Sequence, residues 1–177
     1  MQLATWNVNS LGVRLPQLLD WLAANPVDAI VLQETKLTDD KFPQAELQAA
    51  GYHAHWFGQK TYNGVALLSK TPATDIVRNL PGLADEQARV ITGTVGDVRV
   101  IGAYFPNGQA PDSDKFVYKM AWLEAMQQHV AEELRRHPKL VLMGDFNIAP
   151  EDRDVYDPVA WAGQIHCTAS SWPTAAW

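Results

Sequence analysis

Two long segments of the chain carry apolar residues at the spacing of an amphipathic helix. In the first segment the apolar positions are Leu15, Leu18, Leu19 and Leu22, and Asn25-Pro26 follows them. In the second segment, residues 115–136, they are Phe116, Met120, Leu123, Val130 and Leu134. Because i, i+3, i+4 and i+7 positions share one face of an α-helix, both segments are predicted to be helices packed on a core. A shorter helix is predicted at 42–50, closed by Gly51.

Shorter apolar runs between these segments have the pattern of β-strands. The predicted strands cover residues 3–8, 29–32, 53–57, 65–69, 75–78, 89–95, 98–105 and 140–143. The runs at 29–32 and 140–143 are continuously apolar, as in strands buried on both faces. Gly96-Asp97 predicts a tight hairpin turn. Helices interleaved with strands and hairpins predict a layered α/β sandwich with a mixed sheet.

The composition is typical of a soluble globular protein. The 177 residues are 47% apolar and 19% charged, which suits one folded domain. The chain has no apolar run near the ~20 residues that span a bilayer, and its first residues lack the pattern of a signal peptide. Its single cysteine, Cys167, cannot form an internal disulfide. We therefore expect a soluble cytoplasmic protein with no membrane partner.

The net charge of −6 argues against a basic surface that coats nucleic acid without specificity. It does not argue against an enzyme that handles a phosphodiester through bound cations, because such a site is itself acidic.

Three polar clusters each lie where a predicted strand ends. They are Asn7-Val8-Asn9, Gln33-Glu34-Thr35 and Asp145-Phe146-Asn147. Ligand and catalytic groups gather at such strand ends in layered α/β folds. Glu34 and Asp145 can supply the carboxylates that Mg²⁺ prefers, while Asn7 and Asn147 can supply amide oxygens or orient water. Each cluster alone is typical of a turn or a solvated charge, but three together favour a metal site.

Two further clusters are open to a structural or a functional interpretation. In Tyr104-Phe105-Pro106-Asn107-Gly108, Tyr104 could donate to a phosphate and Asn107 could hold a phosphate oxygen, although composition alone favours a β-turn. Lys60 and Asn63 could contact a phosphate backbone, although Tyr62-Asn63-Gly64 is also typical of a turn. The histidines show no pattern of a catalytic base, and His166 has no evident partner.

The order of these motifs resembles exonuclease III, the bacterial branch of the AP endonucleases within the endonuclease/exonuclease/phosphatase superfamily. The motifs are Trp6-Asn7-Val8-Asn9, Leu32-Gln33-Glu34-Thr35-Lys36, Asn63-Gly64-Val65-Ala66, Tyr104-Phe105-Pro106-Asn107-Gly108 and Gly144-Asp145-Phe146-Asn147 with Ile148-Ala149-Pro150. The resemblance runs from residue 1 to about Cys167. It implies a four-layered α/β sandwich, a Mg²⁺ cofactor with Mn²⁺ as an alternative, and cleavage of duplex DNA at abasic sites and 3′ ends by a monomer.

The resemblance also implies roles for individual residues. Asn7 and Glu34 would lie at the metal, Tyr104 near the scissile phosphate, and Asp145 would handle a proton. Asn147 would lie at the metal and the phosphate, and Asn107 would bind phosphate. Lys60, Lys115 and Lys119 would contact the DNA backbone.

The family pattern is incomplete in this sequence. The family's Arg-Ile-Asp and Ser-Asp-His motifs do not occur in it, and residues 168–177 resemble no part of the family. We therefore expect a partial domain at 1–167, with the C-terminal part of the fold incomplete, followed by an unrelated tail. We also expect weak activity, because the missing histidine would be the general base, and a general base typically raises the rate by about 10²–10⁴-fold. Exposed apolar surface would favour self-association.

Two other functions fit part of this pattern. One is a phosphoesterase of the same superfamily that acts on a phospholipid or a small phosphodiester. The other is a non-catalytic remnant that binds DNA or a protein partner. The Tyr104–Gly108 motif and the Trp6–Asn9 start favour DNA repair over the other phosphoesterases. A comparison of the chain with Asp145→Ala would separate the non-catalytic binder, because a pure binder should not need that carboxylate.

Overall fold

Two four-stranded β-sheets lie at the centre of the structure, a computed structural model that describes residues 1–167. The first sheet has the order β1-β2-β4-β3 and consists of β1 (Leu3–Asn7), β2 (Ala29–Gln33), β3 (His53–Phe57) and β4 (Val65–Ser69). The second has the order β5-β6-β7-β8 and consists of β5 (Thr74–Arg78), β6 (Val90–Val95), β7 (Val98–Tyr104) and β8 (Leu140–Asp145). All eight predicted strands are present.

The described part of the chain has four helices, of which the first two pack on the outer face of the first sheet and the third on that of the second. They are α1 (Leu11–Ala24), α2 (Gln44–Ala49), α3 (Asp114–Arg136) and α4 (Pro158–Trp161), with short 3₁₀ turns at Asp39–Lys41 and Asp152–Asp154. The three helices predicted from the apolar pattern are confirmed. One-turn elements such as α4 are too short to show a period. No helix of residues 1–167 combines the length and apolar character that crossing a membrane requires.

The buried face of α3 contains Leu123 and Val130, as predicted, with Met120 partly buried beside them, but it also includes polar positions and leaves out Leu134. Leu134 is 46% exposed, whereas Lys119, His129 and Glu133 are buried beside Trp122 and Met126. Each buried polar residue has a partner: His129 contacts Thr92, and Glu133 pairs with a buried arginine of β7, Arg99. The apolar pattern failed here because polar side chains with partners occupy part of the core-facing stripe.

Three apolar layers hold the sandwich together and confirm the four-layered fold. Leu11, Leu18 and Leu22 of α1 pack on Ile30 and Leu32 of the first sheet. The opposite faces of the two sheets pack on each other through Val31, Leu67, Ile91 and Val100, among others. On the far side Trp122, Leu123 and Met126 of α3 pack on Val90, Ile101 and Ala103 of the second sheet.

The two sheets approach closely at Gly102, in the middle of β7. A Cβ atom on this residue would lie 2.4 Å from Cγ1 of Val31 in β2, far inside ordinary contact distance. The absence of a side chain at Gly102 therefore sets the spacing of the sheets at this point.

Strand direction brings the polar clusters to one end of the sandwich. β1 runs parallel to β2, with Asn7 opposite Gln33, and β7 runs parallel to β8, with Tyr104 opposite Asp145. β1 and β8 are the edge strands of their sheets and contact each other. The carboxyl ends of all four strands therefore meet at one rim.

The same two edge strands are only partly covered by residues 1–167. β1 has exposed or half-buried residues throughout, and an apolar cavity of about 350 Å³ beside it is lined by Ala4, Trp6, Trp21 and Ile30, together with Thr5. Self-association through this surface stays a prediction. The predicted tail at 168–177 lies outside the described residues.

Candidate metal and phosphate site

Asn7 joins two carboxylates that come from different sheets. Its Nδ2 donates to Oε1 of Glu34 and to Oδ2 of Asp145, each at 2.8 Å. Its Oδ1 accepts the backbone N–H of Asn9 at 3.0 Å, which fixes the orientation of the amide. Asn7 thus orients Glu34 and Asp145 in this arrangement, while its oxygen faces the backbone. A metal-ligating role for that oxygen stays a prediction.

Glu34 is held in an unusual backbone conformation directly after β2. Its φ of 55° lies in the left-handed region, which costs energy for a residue with a side chain. Lys36, also at positive φ, donates to Oε2 of Glu34 at 2.9 Å. Burial works against ionisation of Glu34, but hydrogen bonds from Asn7 and Lys36 outweigh it and lower the pKa of Glu34 below its usual 4.5. Glu34 is therefore a carboxylate at neutral pH.

Tyr104 faces Glu34 from the end of β7. Burial, then the Glu34 carboxylate, raises the pKa of Tyr104 well above its usual 10. Its hydroxyl therefore stays protonated at neutral pH and can donate a hydrogen bond. Arg89 supports it, because the guanidinium lies 4.9 Å from the Tyr104 ring and NH1 donates to the Tyr104 carbonyl at 3.2 Å. No sequence motif indicated this role for Arg89.

The turn that presents Asp145 requires glycine at the preceding position. Gly144 has φ of 150°, and a Cβ there would lie 1.9 Å from the Ala103 carbonyl oxygen. Oδ1 of Asp145 accepts the backbone N–H of Asn147 at 3.1 Å. Nδ2 of Asn147 donates to the Phe105 carbonyl at 3.0 Å, which ties this turn to the loop after β7.

Asn107, Asn147 and His166 form a second group beside the carboxylates. Nδ2 of Asn107 lies 3.2 Å from Oδ1 of Asn147 and 3.0 Å from Nε2 of His166, which is 3.3 Å from the same Asn147 oxygen. His166 therefore has partners that its sequence context did not indicate. Burial, then the nearby Lys119, lowers the pKa of His166, so the ring is neutral at neutral pH.

The three lysines predicted to contact DNA differ in their placement. Lys60 is exposed on a turn. Lys115 is exposed and lines a cavity of about 600 Å³ with Arg89 and Asn107. Lys119 is fully buried and its Nζ bonds backbone carbonyls, so its predicted contact with the DNA backbone is wrong. The apolar stripe could have indicated this, because Lys119 lies three residues after Phe116 and four before Leu123.

The donor set at the rim suits a hard divalent cation. Within residues 1–167 no group of three or more His, Cys, Asp or Glu side chains is placed to hold a metal ion. The two carboxylates that Asn7 brings together are instead surrounded by amide and hydroxyl groups. Mg²⁺ uses one or two carboxylates, with water and substrate phosphate completing its shell. A cavity of about 710 Å³, lined by Asn7, Asp145, Asn147 and His166, leaves room for that phosphate.

Comparison with known proteins gives a consistent result. Residues 4–177 match the endonuclease/exonuclease/phosphatase family. The chain is 35% identical over 161 residues to exodeoxyribonuclease III of Haemophilus influenzae, covering 88% of this chain and 60% of that protein. It therefore spans about three fifths of that relative's length.

Solved structures of similar proteins have the same fold. The 3′ phosphatase NExo from Neisseria, bound to a product DNA hairpin, is 55% identical with a TM-score of 0.95, covering 97% of this chain and 67% of that one. An AP endonuclease from Archaeoglobus fulgidus is 33% identical with a TM-score of 0.90, covering 97% of this chain and 66% of that one.

Proposed function

Because the chain belongs to the endonuclease/exonuclease/phosphatase family, we propose that it carries the metal- and phosphate-binding part of a DNA-repair nuclease. The reaction is hydrolysis of phosphate esters at 3′ ends of duplex DNA, with abasic sites as a second substrate. The observation that carries the proposal is the convergence of Glu34 and Asp145 on the Asn7 amide. The 3′ phosphatase and the AP endonuclease among the similar proteins support the choice of DNA.

The chain's own residues supply binding and orientation. Glu34 and Asp145 would hold Mg²⁺ or Mn²⁺, which screens phosphate charge and stabilises a leaving oxygen. The protonated Tyr104 hydroxyl, which faces Glu34, would turn its proton to a phosphate oxygen when the substrate binds. The Asn107 amide, and the second N–H of the Asn147 amide, would donate to further phosphate oxygens. Lys115 and Lys60 attract the DNA backbone from the exposed surface.

Activation of water is the weak step for this chain. The histidine at the site, His166, contacts the Asn107 and Asn147 amides through one ring nitrogen, Nε2, and among the described residues it bonds no carboxylate. A histidine without such a partner is a poor general base, and loss of a base costs about 10²–10⁴-fold. We therefore expect slow turnover. The phosphate-release assay below is best done with protein in excess over DNA, so that a single turnover is measured.

A duplex ending in a 3′-phosphate tests the proposal. The 177-residue chain is mixed with it in Mg²⁺, in Mn²⁺ or in EDTA, and released phosphate is measured. We expect release that requires a divalent cation and falls at least about tenfold in Glu34→Gln and in Asp145→Asn. Glu46→Gln, an exposed carboxylate on α2, should behave as the parent chain. Release that persists in EDTA, or in Glu34→Gln, contradicts the proposal.

Further substrates separate the alternatives. A duplex with one internal abasic site measures strand cleavage beside 3′-phosphate release. A phospholipid and a small phosphodiester test the other phosphoesterase activities, which should be absent. A non-catalytic binder would retain the duplex equally well in the parent chain and in Asp145→Asn, and neither protein would release phosphate.

A further inference from the structure

The ammonium group of Lys119 connects three chain segments beneath the phosphate site. The residue lies on α3 and is 0% exposed. Its Nζ donates to the backbone carbonyls of Asn147 at 2.9 Å, Asn107 at 3.3 Å and Ile165 at 3.5 Å. These carbonyls belong to the loop after β8, the loop after β7 and the segment after α4. Because an ammonium has three N–H donors, each segment can receive one.

The same three segments meet again on their outer side. The Asn107 amide bonds Asn147 and His166, and His166 directly follows Ile165. Two sets of contacts therefore join these three segments: hydrogen bonds between side chains at the cavity, and the bonds from Lys119 on the buried side. Contacts between exposed side chains are weak in water, whereas a buried charge-assisted bond is stronger. Lys119 thus fixes the backbones from which the phosphate-facing side chains project.

Packing alone does not explain why position 119 is a lysine. Within residues 1–167 no carboxylate forms an ion pair with its Nζ, and burying an ammonium group is costly unless polar partners compensate for it. Its stem is tightly packed, since a Cβ on Gly108 would lie 3.0 Å from Lys119 Cδ. An apolar side chain such as Met would fill the same space without that cost.

We infer that Lys119 is a positioning residue that sets the Asn107 and Asn147 amides at the spacing a phosphate group requires. The inference rests on the proposed function, because that function gives the two amides their substrate. Lys119 itself does not contact the phosphate. Its effect passes through the three backbone carbonyls that it joins.

The test compares Lys119→Met with Arg136→Met in the 177-residue chain. Both variants remove a cation from α3, but Arg136 is 64% exposed at the far end of the helix. In ¹⁵N spectra, Lys119→Met should shift the side-chain amide signals of Asn107 and Asn147 and leave the Asn7 amide in place. Arg136→Met should shift none of the three. Unmoved Asn107 and Asn147 signals in Lys119→Met, or an equal shift at Asn7, overturn the inference.

A second measurement needs no variant. The Lys119 ammonium of the parent chain should give a slowly exchanging ¹⁵N signal with contacts to Asn107 and Asn147. If that signal exchanges as fast as the ammonium of exposed Lys60, the inference fails, even where Lys119→Met does not fold.

Turnover separates this inference from the proposed function. With the 3′-phosphate duplex under the same single-turnover conditions, Lys119→Met should lower the rate at saturating protein by about 10- to 100-fold, with a smaller change in the protein concentration that gives half of that rate. Lys119→Arg should recover part of that loss, because it keeps a cation that can donate to the carbonyls. Absence of turnover in the parent chain contradicts the proposed function, whereas the amide signals still decide the placement of Asn107 and Asn147.

Discussion

Replacing Gly102 by alanine tests whether the close approach of the two sheets is as tight as the structure indicates. The new Cβ would lie 2.4 Å from Cγ1 and 3.0 Å from Cγ2 of Val31, where ordinary contact begins at 3.4 Å. A shift of about 1 Å is needed to relieve this overlap. Val31 is fully buried on β2, which is paired on both sides, and β7 is likewise paired on both sides. Neither strand can move without disturbing its neighbours.

The expected cost follows from these contacts. Adding a methyl group to a packed core costs about 1–3 kcal/mol. The reduced backbone entropy of alanine returns roughly 0.5–1 kcal/mol. Because the overlap at Gly102 is severe, the overpacking cost should lie in the upper part of its range, at about 2–3 kcal/mol, and the net loss in the free energy of unfolding should be about 1–2.5 kcal/mol. For a chain of this size each kcal/mol lowers Tm by roughly 2–4 °C.

Urea unfolding followed by tryptophan fluorescence measures this loss. Gly12→Ala is the matched control, because its Cβ would meet nothing closer than Leu37 Cδ2 at 3.9 Å. That change lies within α1 and should be neutral or stabilising by up to about 1 kcal/mol. Val31→Ala makes room for the new methyl group. The double variant with Val31→Ala and Gly102→Ala should therefore lose less unfolding free energy than the two single variants lose together. Equal midpoints for Gly102→Ala and the parent chain would refute the reasoning.

Three further predictions concern titration, a buried ion pair and a helix cap. Hydrogen bonds lower the pKa of Glu34 below 4.5, so its carboxylate should still bind Mn²⁺ at about pH 5 and lose the ion at lower pH. Water proton relaxation measures this binding. Asn7→Ala removes one of the hydrogen bonds and should move the loss of binding to higher pH. Glu133→Ala leaves the buried Arg99 without its carboxylate and should lower the unfolding free energy by about 3–5 kcal/mol, whereas Arg99→Met with Glu133→Leu should be far less harmful. Ser113→Ala removes the side chain that accepts the Phe116 N–H at the start of α3 and should cost about 1 kcal/mol in urea, with Ser113→Asp retaining most of the stability.

Much of the fold followed from local pattern. The helix α1 was predicted from the spacing of Leu15, Leu18, Leu19 and Leu22. This spacing follows the repeat of about 3.6 residues per turn of an α-helix, which can be recognised within one segment of sequence. The continuous apolar run at Ala29–Leu32 predicted a strand covered on both faces, and β2 is buried at every position. The polar clusters were found because each lies at the end of a strand.

What failed depends on contacts between distant segments. The family resemblance implied that Lys119 contacts the DNA backbone, but this lysine is fully buried. Its three partners lie 12, 28 and 46 residues away in sequence, so no local pattern identifies them. Asn7 donates to Asp145 across 138 residues, and this contact exists only after the two sheets have packed. Arg89 and His166 were missed for the same reason.

The division of the two carboxylates between separate sheets has a consequence for the stability of the whole fold. A cation held by Glu34 and Asp145 would cross-link the first sheet to the second, at the rim where Asn7 already joins them. Any ligand that binds only the closed sandwich adds to its unfolding free energy in proportion to RT ln(1 + [L]/Kd). The resistance of the protein to heat and to proteases would therefore rise with the concentration of free divalent cation. The supply of metal in its surroundings would then govern how long the folded chain survives, in addition to how fast it works.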